Sequence, residues 1–217
     1  GTHFNPNSTW WEKSAAFLAY INRCQFLLQQ GLFVADAVYY YGDQVPNFAQ
    51  LKASDPARVL PGYDYDAATQ EVVLSRMEVR DGRIVLPDGM SYRVLVLPEQ
   101  PAISMPVLRK VHALVSAGAT VIGPRPRRAT GLSGYPGSDA EVARLAGELW
   151  GDSDGTAAGE HRFGKGRVIW GKTAREVLQA NGVAADFEFA ALSPASLSSE
   201  NASPPLDYIH RRSGECE

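Results

Sequence analysis

Three features predict that the middle of the chain folds as an α/β domain with a doubly wound parallel sheet. Tyr92–Leu97 (YRVLVL) and Ala119–Ile122 (ATVI) are short, continuously apolar runs, which is typical of strands buried on both faces. Met105–Ala117, between them, carries apolar residues at helical spacing and is followed by Gly118, a common helix stop. A strand, a helix and a second strand in this order form a βαβ unit, whose two strands are parallel.

The segments before this unit predict a strand, a helix and a hairpin. Leu32–Tyr41 (LFVADAVYYY) has the length and the apolar character of a buried strand. Tyr63–Leu74 has the pattern of a helix, with Asp64 or Asp66 as its N-cap. Met77–Leu86 predicts a hairpin, because its central Asp-Gly pair favours a two-residue turn.

Four further elements are predicted after the βαβ unit. They are a helix at Asp139–Trp150 capped by Ser138 or Asp139, a hairpin that joins His161–Phe163 to Arg167–Trp170, a helix at Thr173–Asn181 and a strand at Phe187–Leu192. Residues 32–192 therefore form a predicted domain of flavodoxin-like type, the architecture of class I glutamine amidotransferase domains. This fold supports many functions, so the function must be argued from individual residues.

The first 31 residues predict a polar and aromatic loop that opens a long helix. Thr9 and Glu12 have the spacing of a capping box, in which each side chain bonds to the backbone N–H of the other residue. Gly31 is a natural left-handed helix stop. Apolar residues of this helix occupy more than one face, so we expect burial on more than one side and a further domain upstream of residue 1.

Composition and charge exclude several classes of function. The formal net charge is −3, so no strong positive field attracts nucleic acid, and Arg125–Arg128 (RPRR) is a short basic loop. No apolar run approaches the roughly 20 residues that span a bilayer. Cys24 and Cys216 form neither a disulfide framework nor a CxxC motif, and the histidines lack the spacing of metal ligands. The sequence thus predicts neither a nucleic-acid nor a membrane partner.

Catalytic motifs of other proteins with this architecture are missing from the sequence. An amidotransferase needs a nucleophilic cysteine on the turn after a central strand, whereas the segments after the two central runs are PEQPAIS and GPRPRR. A GxSxG elbow is also absent. Gly164–Gly166 (GKG) lacks the spacing of a phosphate-binding loop and is better explained as a tight hairpin turn.

The loop before the first helix is the best candidate for a binding site. Sugar rings stack on aromatic side chains, and their hydroxyls bond to planar polar groups. The loop combines both kinds of side chain within eleven residues: His3, Phe4, Asn5, Asn7, Trp10 and Trp11. We therefore predict His3, Asn5, Trp10 and Trp11 as substrate-binding residues. The alternative is a buried loop whose tryptophans belong to a core and whose asparagines fix turns.

Long stretches of the chain, taken in order, resemble glycoside hydrolase family 106, the α-L-rhamnosidases. The stretches are GTHFNPNSTWWEKS, YINRCQFLLQQGLFVADAVYYYGDQVPNF, PGYDYDAATQEVVLSRMEVRDGRIVLPDGMSYRVLVLPE, LVSAGATVIGPRP and LDYIHRRSGECE. They cover nearly the whole chain and correspond to the C-terminal part of the catalytic region of the family.

The resemblance implies an inverting, calcium-dependent hydrolase that removes terminal α-L-rhamnose from plant polysaccharides or glycosides. Residues 1–31 would be the last loop and helix of a (β/α)8 barrel, whose loops at this face build the active site. His3 and Asn5 would then lie at or near the sugar pocket. The paired catalytic glutamates and most calcium ligands would lie upstream of residue 1, so no catalytic or metal-binding residue is assigned to this chain. Many relatives are secreted or periplasmic, but the sequence does not indicate a compartment.

The residues themselves leave three acids as candidates, since glycoside hydrolysis needs two carboxyl groups roughly 5 to 9.5 Å apart. Glu12 is also explained by the capping box, and Asp36 by a strand-end acid bonded to loop backbone. Glu99 follows a strand at the edge where α/β sites gather, without an evident partner. The alternative function is a non-catalytic flavodoxin-like domain that mediates assembly or binds a small ligand.

The predicted organisation has four parts. Residues 1–31 are the end of a barrel, and residues 32–192 are the flavodoxin-like domain. Residues 193–205 (SPASLSSENASPP) have the low-complexity composition of a linker. Residues 206–217 alternate apolar and polar side chains, which predicts the first strand of a following, truncated β domain.

Overall fold

A computed structural model describes residues 4–44, 47–153, 157–188 and 207–214. The chain forms two compact units. Unit 1 contains Gly1–Phe33 and Ile209–Glu217, and unit 2 contains Val34–Tyr208.

The structure contains both helices and strands. The helices are α1 (Ala15–Gln29), α2 (Gln70–Ser75), α3 (Met105–Ala117), α4 (Ser138–Trp150) and α5 (Ala174–Ala180). The strands are β1 (Leu32–Phe33), β2 (Ala37–Tyr40), β3 (Tyr65–Ala68), β4 (Glu78–Arg80), β5 (Arg83–Val85), β6 (Ser91–Tyr92), β7 (Val94–Val96), β8 (Ala102–Ile103), β9 (Thr120–Ile122), β10 (Arg128–Ala129), β11 (Gly159–Phe163), β12 (Gly166–Trp170) and β13 (Arg211–Arg212). Short 3₁₀ turns lie at Trp11–Lys13 and Lys52–Ser54.

A six-stranded sheet organises unit 2, with the strand order β11-β12-β9-β7-β2-β3. The five strands from β12 to β3 are parallel, and β11 pairs antiparallel to β12 at one edge. The prediction of an α/β fold with a mostly parallel sheet is therefore confirmed.

The central strand β7 is buried on both faces, as is typical of a parallel sheet covered by helices. Val94 and Val96 pack in one cluster with Val177 and Leu178 of α5. Leu95 lies between them and so points to the opposite face. On α3, which follows β7 in the chain, Leu108 and five further residues are buried.

The periodic segments fold as predicted. β7, α3 and β9 form the βαβ unit, with Leu95 paired to Val121 in parallel strands. The hairpin of β4 and β5 turns at Asp81 and Gly82, which both have positive φ. The second hairpin joins β11 to β12, and α5 begins at a capping box formed by Thr173 and Glu176.

The predicted helix at Tyr63–Leu74 is wrong in its first half. Tyr65–Ala68 is strand β3, which pairs along its length with β2. Pairing with a neighbouring buried strand overrides the local helical preference of this stretch. The helix begins later, at Gln70, where the Thr69 hydroxyl accepts from the backbone N–H of Val72 at 3.2 Å. Neither Asp64 nor Asp66 caps it.

The apolar run Leu32–Tyr41 is two strands instead of one. Leu32–Phe33 (β1) pairs antiparallel with Arg211–Arg212 (β13), whereas Ala37–Tyr40 (β2) lies in the main sheet. Of the strand predicted at Phe187–Leu192, the first two residues are not in a strand, and the rest lies outside the described residues.

The capping box at Thr9 and Glu12 is also wrong. Residues 11–13 form a 3₁₀ turn, and the backbone N–H groups of Lys13 and Ser14 bond to carbonyls three residues earlier, at 3.0 Å each. The helix α1 therefore begins at Ala15, and Ser14 makes no side-chain capping bond. α4 likewise begins without one, since it starts at Ser138 after Gly137.

Helix α1 ends as the sequence predicts but is not buried as expected. Gly31 has a φ of +58°, and a Cβ there would lie 2.2 Å from the carbonyl oxygen of Arg212. The β1–β13 pairing thus requires a glycine for space as well as for conformation. No residue of α1 is buried within the described structure, and Phe17, Tyr20 and Phe26 are exposed.

Candidate functional site

The predicted binding loop presents a cluster of aromatic rings. Phe4 lies 5.4 Å from Trp10 between ring centroids and 6.3 Å from Phe17. Trp10 also contacts Phe17 edge-on at 6.4 Å, and the rings of Trp10 and Trp11 are 6.5 Å apart. Trp10 remains 38% exposed, so part of this aromatic cluster is accessible to solvent. His3 lies outside the described residues.

Asn5 shapes the backbone of this loop. Its side-chain oxygen accepts from the N–H of Asn7 at 2.9 Å, and its carbonyl accepts from the N–H of Ser8 at 3.1 Å. This turn is the structural alternative that the sequence left open for the asparagines. In this loop Trp10 contacts Trp11, and Asn5 forms a turn. A role of these residues in substrate binding stays a prediction.

Asp36 lies at the start of β2 and is paired with a cation. Its Oδ1 accepts from the Nε of Arg93 at 2.8 Å, and its side chain is 8% exposed. Its Oδ2 is buried without a hydrogen-bond partner among the described residues. Burial raises the pKa of Asp36, while the hydrogen bond from Arg93 acts against this rise. The hydrogen-bonded partner of this acid is therefore a guanidinium, and the nearby carboxyl group of Asp186 also raises its pKa.

A second buried acid, Asp64, anchors a polar cluster that sequence reasoning missed. Lys52 donates to the Oδ2 of Asp64 and to the Oδ1 of Asp207, at 2.8 Å each, and to the carbonyl of Tyr208 at 2.9 Å. Burial raises the pKa of Asp64, although the bond from Lys52 opposes this. The same ammonium group lowers the pKa of Asp207. No sequence motif signals this cluster, because Lys52 and Asp207 are far apart in the chain.

Two shallow depressions lie at the carboxyl edge of the sheet among the described residues. One has room for about 10 Å³ and is lined by Tyr40, Asp43 and Gln100 among others. The other has room for about 20 Å³ and is lined by Glu99 and Arg58 among others. Each has space for about one water molecule, whereas small-molecule sites usually measure roughly 300 to 1,000 Å³.

Asp43 has a structural role beside the first depression. Its Oδ2 accepts from the backbone N–H of Ser104 at 3.0 Å and from the hydroxyl of Thr130 at 3.1 Å. Burial raises the pKa of the neighbouring Tyr40, whose hydroxyl has no hydrogen-bond partner in the described part of the chain. Asp43 thus joins the chain at Ser104 to the chain at Thr130 at this edge.

Neither a metal site nor a membrane span is present in the part of the chain that the structure describes. Across residues 4–44, 47–153, 157–188 and 207–214, no three or more His, Cys, Asp or Glu side chains come close enough to hold a metal ion. The calcium ion that the resemblance implies stays a prediction. None of the described helices has both the length and the apolar character needed to cross a bilayer.

Comparison with known proteins decides the family. The sequence model of glycoside hydrolase family 106, described as α-L-rhamnosidase, matches residues 1–217. The chain belongs to this family. The resemblance seen in the long motifs of the sequence is thereby confirmed.

Two relatives show how the family 106 chain compares with longer proteins. A protein of Formosa agariphila named "Putative beta-glucuronidase" is 37% identical over 217 residues, which are 100% of this chain and 16% of that protein. The solved structure of a rhamnosidase from a Novosphingobium species is 32% identical and has a TM-score of 0.76. That match covers 99% of this chain and 19% of the other. The family 106 chain thus spans less than a fifth of the length of either relative.

Proposed function

We propose that the chain is part of an enzyme that hydrolyses terminal α-L-rhamnose from plant polysaccharides or glycosides with inversion. The observation that carries this proposal is the match to the α-L-rhamnosidase family over the whole chain. The rhamnosidase of known structure, which is 32% identical over 99% of the chain, supports it. Chemistry of this kind needs two facing carboxyl groups. We place them, together with most of the calcium ligands, upstream of residue 1.

In this proposal, residues 1–31 are the last loop and the final helix of a (β/α)8 barrel. The loops at the carboxyl face of such a barrel build the active site. The exposed rings of Phe4, Trp10 and Phe17 support a role of this loop in binding the sugar. The residues proposed to bind it are His3, Asn5, Trp10 and Trp11. The apolar residues exposed along α1 support a packing partner beyond the described residues.

The α/β domain at residues 32–192 is proposed to be a scaffold of flavodoxin-like type. The strand order β3-β2-β7-β9-β12 supports this type, because flavodoxin-like sheets place the first strand between the second and the third. The small size of both depressions favours the scaffold over the alternative, a domain that binds a small ligand. The linker at 193–205 and the β domain begun at 206–217 stay predictions.

A second candidate substrate is a β-glucuronide. The observation in its favour is the name of the 37% identical relative, which assigns that protein to β-glucuronidases. Both candidates are glycosides, so the residues proposed for sugar binding serve either one.

The two candidates are separated by comparing substrates and chain lengths. An aryl α-L-rhamnoside and an aryl β-D-glucuronide are offered to this chain and to a longer form that extends upstream through a complete barrel. We expect the longer form to release the aryl group from the rhamnoside, and calcium chelation to abolish this turnover. Hydrolysis of the glucuronide alone would replace rhamnose as the substrate. Turnover by the short chain would place the two carboxyl groups within it, and Glu12, Asp36 and Glu99 would be tested next.

A further inference from the structure

We propose that Lys52, Asp64 and Phe187 form an internal docking site whose partner is the Asp207–Tyr208 dipeptide of the same chain. Phe187 and the dipeptide lie on either side of residues 189–206, and all belong to unit 2. The site recognises a carboxylate, a backbone carbonyl and an aromatic ring in sequence. This role is independent of the proposed hydrolase activity.

The ammonium group of Lys52 binds both the side chain of Asp207 and the backbone of Tyr208. An ammonium has three N–H donors. Those of Lys52 go to Asp64 at 2.8 Å, to the carboxylate of Asp207 at 2.8 Å and to the carbonyl of Tyr208 at 2.9 Å. All three donors are therefore used, and two of them bond to the Asp207–Tyr208 dipeptide.

The buried partner of Lys52 is held in place by contacts that do not involve the dipeptide. The side chain of Asp64 is 4% exposed, and its Oδ1 accepts from the N–H of Tyr65 at 2.9 Å, which leaves Oδ2 for Lys52. The carbonyl of Asp64 also accepts from the N–H of Asp36 at 3.2 Å, next to β2. A receptor held in its bound geometry loses less conformational entropy on binding. Asp64 therefore positions the ammonium group of Lys52 to bind the dipeptide.

The ring of Tyr208 fills the second half of the site. It stacks on Phe187 with ring centroids 4.9 Å apart and an interplanar angle of 28°. The Nζ of Lys52 lies 4.8 Å from the centroid of the same ring, within the range of a cation–π interaction. The Tyr208 hydroxyl is buried without a hydrogen-bond partner among the described residues. The site thus selects an aromatic ring and makes no use of the hydroxyl.

The ion pair with Asp207 is too weak to hold the segment by itself. The side chain of Asp207 is 75% exposed, and exposed ion pairs contribute little to stability. Retention depends on the carbonyl bond and the ring packing acting together with this pair. We therefore expect the segment to stay bound when its covalent connection to the domain is cut.

The experiment cuts that connection in the folded chain. A protease recognition sequence is inserted within residues 193–205 of the full 217-residue chain, which is folded, cleaved and passed over a gel-filtration column. We expect the C-terminal piece to co-elute with the rest. Tyr208→Ala removes both ring contacts and should speed its release at least about tenfold, and Lys52→Met should do the same.

Tyr208→Phe is the matched control, because it keeps the ring and removes the unused hydroxyl. We expect its release rate to stay within about twofold of the unmutated chain. Since Tyr208 belongs to the C-terminal piece, its variants also separate loss of docking from misfolding around Asp64. Immediate release of the unmutated piece would overturn the proposal. Equal retention of the Tyr208→Ala and Lys52→Met pieces would overturn it too, since the β1–β13 pairing alone would then hold the segment.

Discussion

Replacing Arg93 by methionine tests whether Asp36 needs its cation. Methionine keeps most of the apolar stem of arginine but removes the guanidinium that donates to the Oδ1 of Asp36 at 2.8 Å. The carboxylate, whose side chain is 8% exposed, would then lose this charged partner. The variant therefore isolates the electrostatic part of the contact.

The expected loss follows from the exposure of the two groups. A hydrogen bond to a charged group contributes roughly 1.5 to 3 kcal/mol. Because the Arg93 side chain is 46% exposed, solvent screens the pair, and we reduce this value to about 1 to 2 kcal/mol. Asp36→Asn removes the buried charge and keeps an oxygen acceptor, so it should change the free energy of unfolding by less than about 1 kcal/mol.

The pH dependence of the loss has a definite sign. Burial raises the pKa of Asp36 in the folded state, and removal of Arg93 raises it further. A raised carboxyl pKa stabilises the fold at low pH, and this contribution is lost as the pH rises through the folded-state pKa. The penalty of Arg93→Met should thus be largest near pH 7 and shrink as the pH falls and a proton neutralises Asp36.

Urea unfolding measures the penalty at several pH values. The buried Trp150 and Trp170 report on unit 2 by fluorescence. The double variant with Asp36→Asn has no titrating group at this position, so it should lose the pH-dependent part of the penalty. A penalty for Arg93→Met that is the same at pH 7 and near pH 4 would refute the reasoning.

Three further substitutions test the core, a helix cap and the proposed binding loop. Leu108→Ala should lower the free energy of unfolding by about 2 to 5 kcal/mol, because Leu108 is fully buried on α3. In the same urea experiment its neighbour Lys110→Ala should cost less than about 0.5 kcal/mol, and equal losses would contradict this packing. Thr173→Ala removes the capping box of α5 and should cost about 1 kcal/mol by thermal unfolding, so an unchanged melting temperature would argue against the cap. In the longer, active form, Trp10→Ala should raise KM for the aryl rhamnoside about three- to tenfold through loss of ring stacking. The exposed Phe48→Ala in unit 2 is its control, and equal kinetics for the two variants would remove the loop from substrate binding.

Local sequence patterns correctly predicted the elements that are determined by their own residues. Helix α3 has its predicted bounds because one face is apolar and Gly118 ends it. The hairpin at Asp81 and Gly82 follows from a turn that both residues favour. The residues that determine such an element lie within about a dozen positions, so the element can be predicted from a single sequence.

Other features depend on partners that are distant in the sequence. Tyr65–Ala68 becomes a strand because β2 offers it a backbone ladder, which no local pattern reports. Lys52 and Asp207 are separated by 155 positions, so their contact could not be read from spacing. The aromatic composition of the loop at Trp10 did indicate clustered rings, but composition does not show which ligand, if any, those rings contact.

The pairing of β1 with β13 has a consequence for the evolution of this chain. Phe33 lies opposite Arg211, so the backbone leaves for unit 2 and comes back within one antiparallel ladder, whose paired Cα atoms are about 5 Å apart. A short reverse turn could bridge that gap. A recombination event that gained, lost or exchanged Val34–Tyr208 would therefore leave both strands of this ladder in the chain.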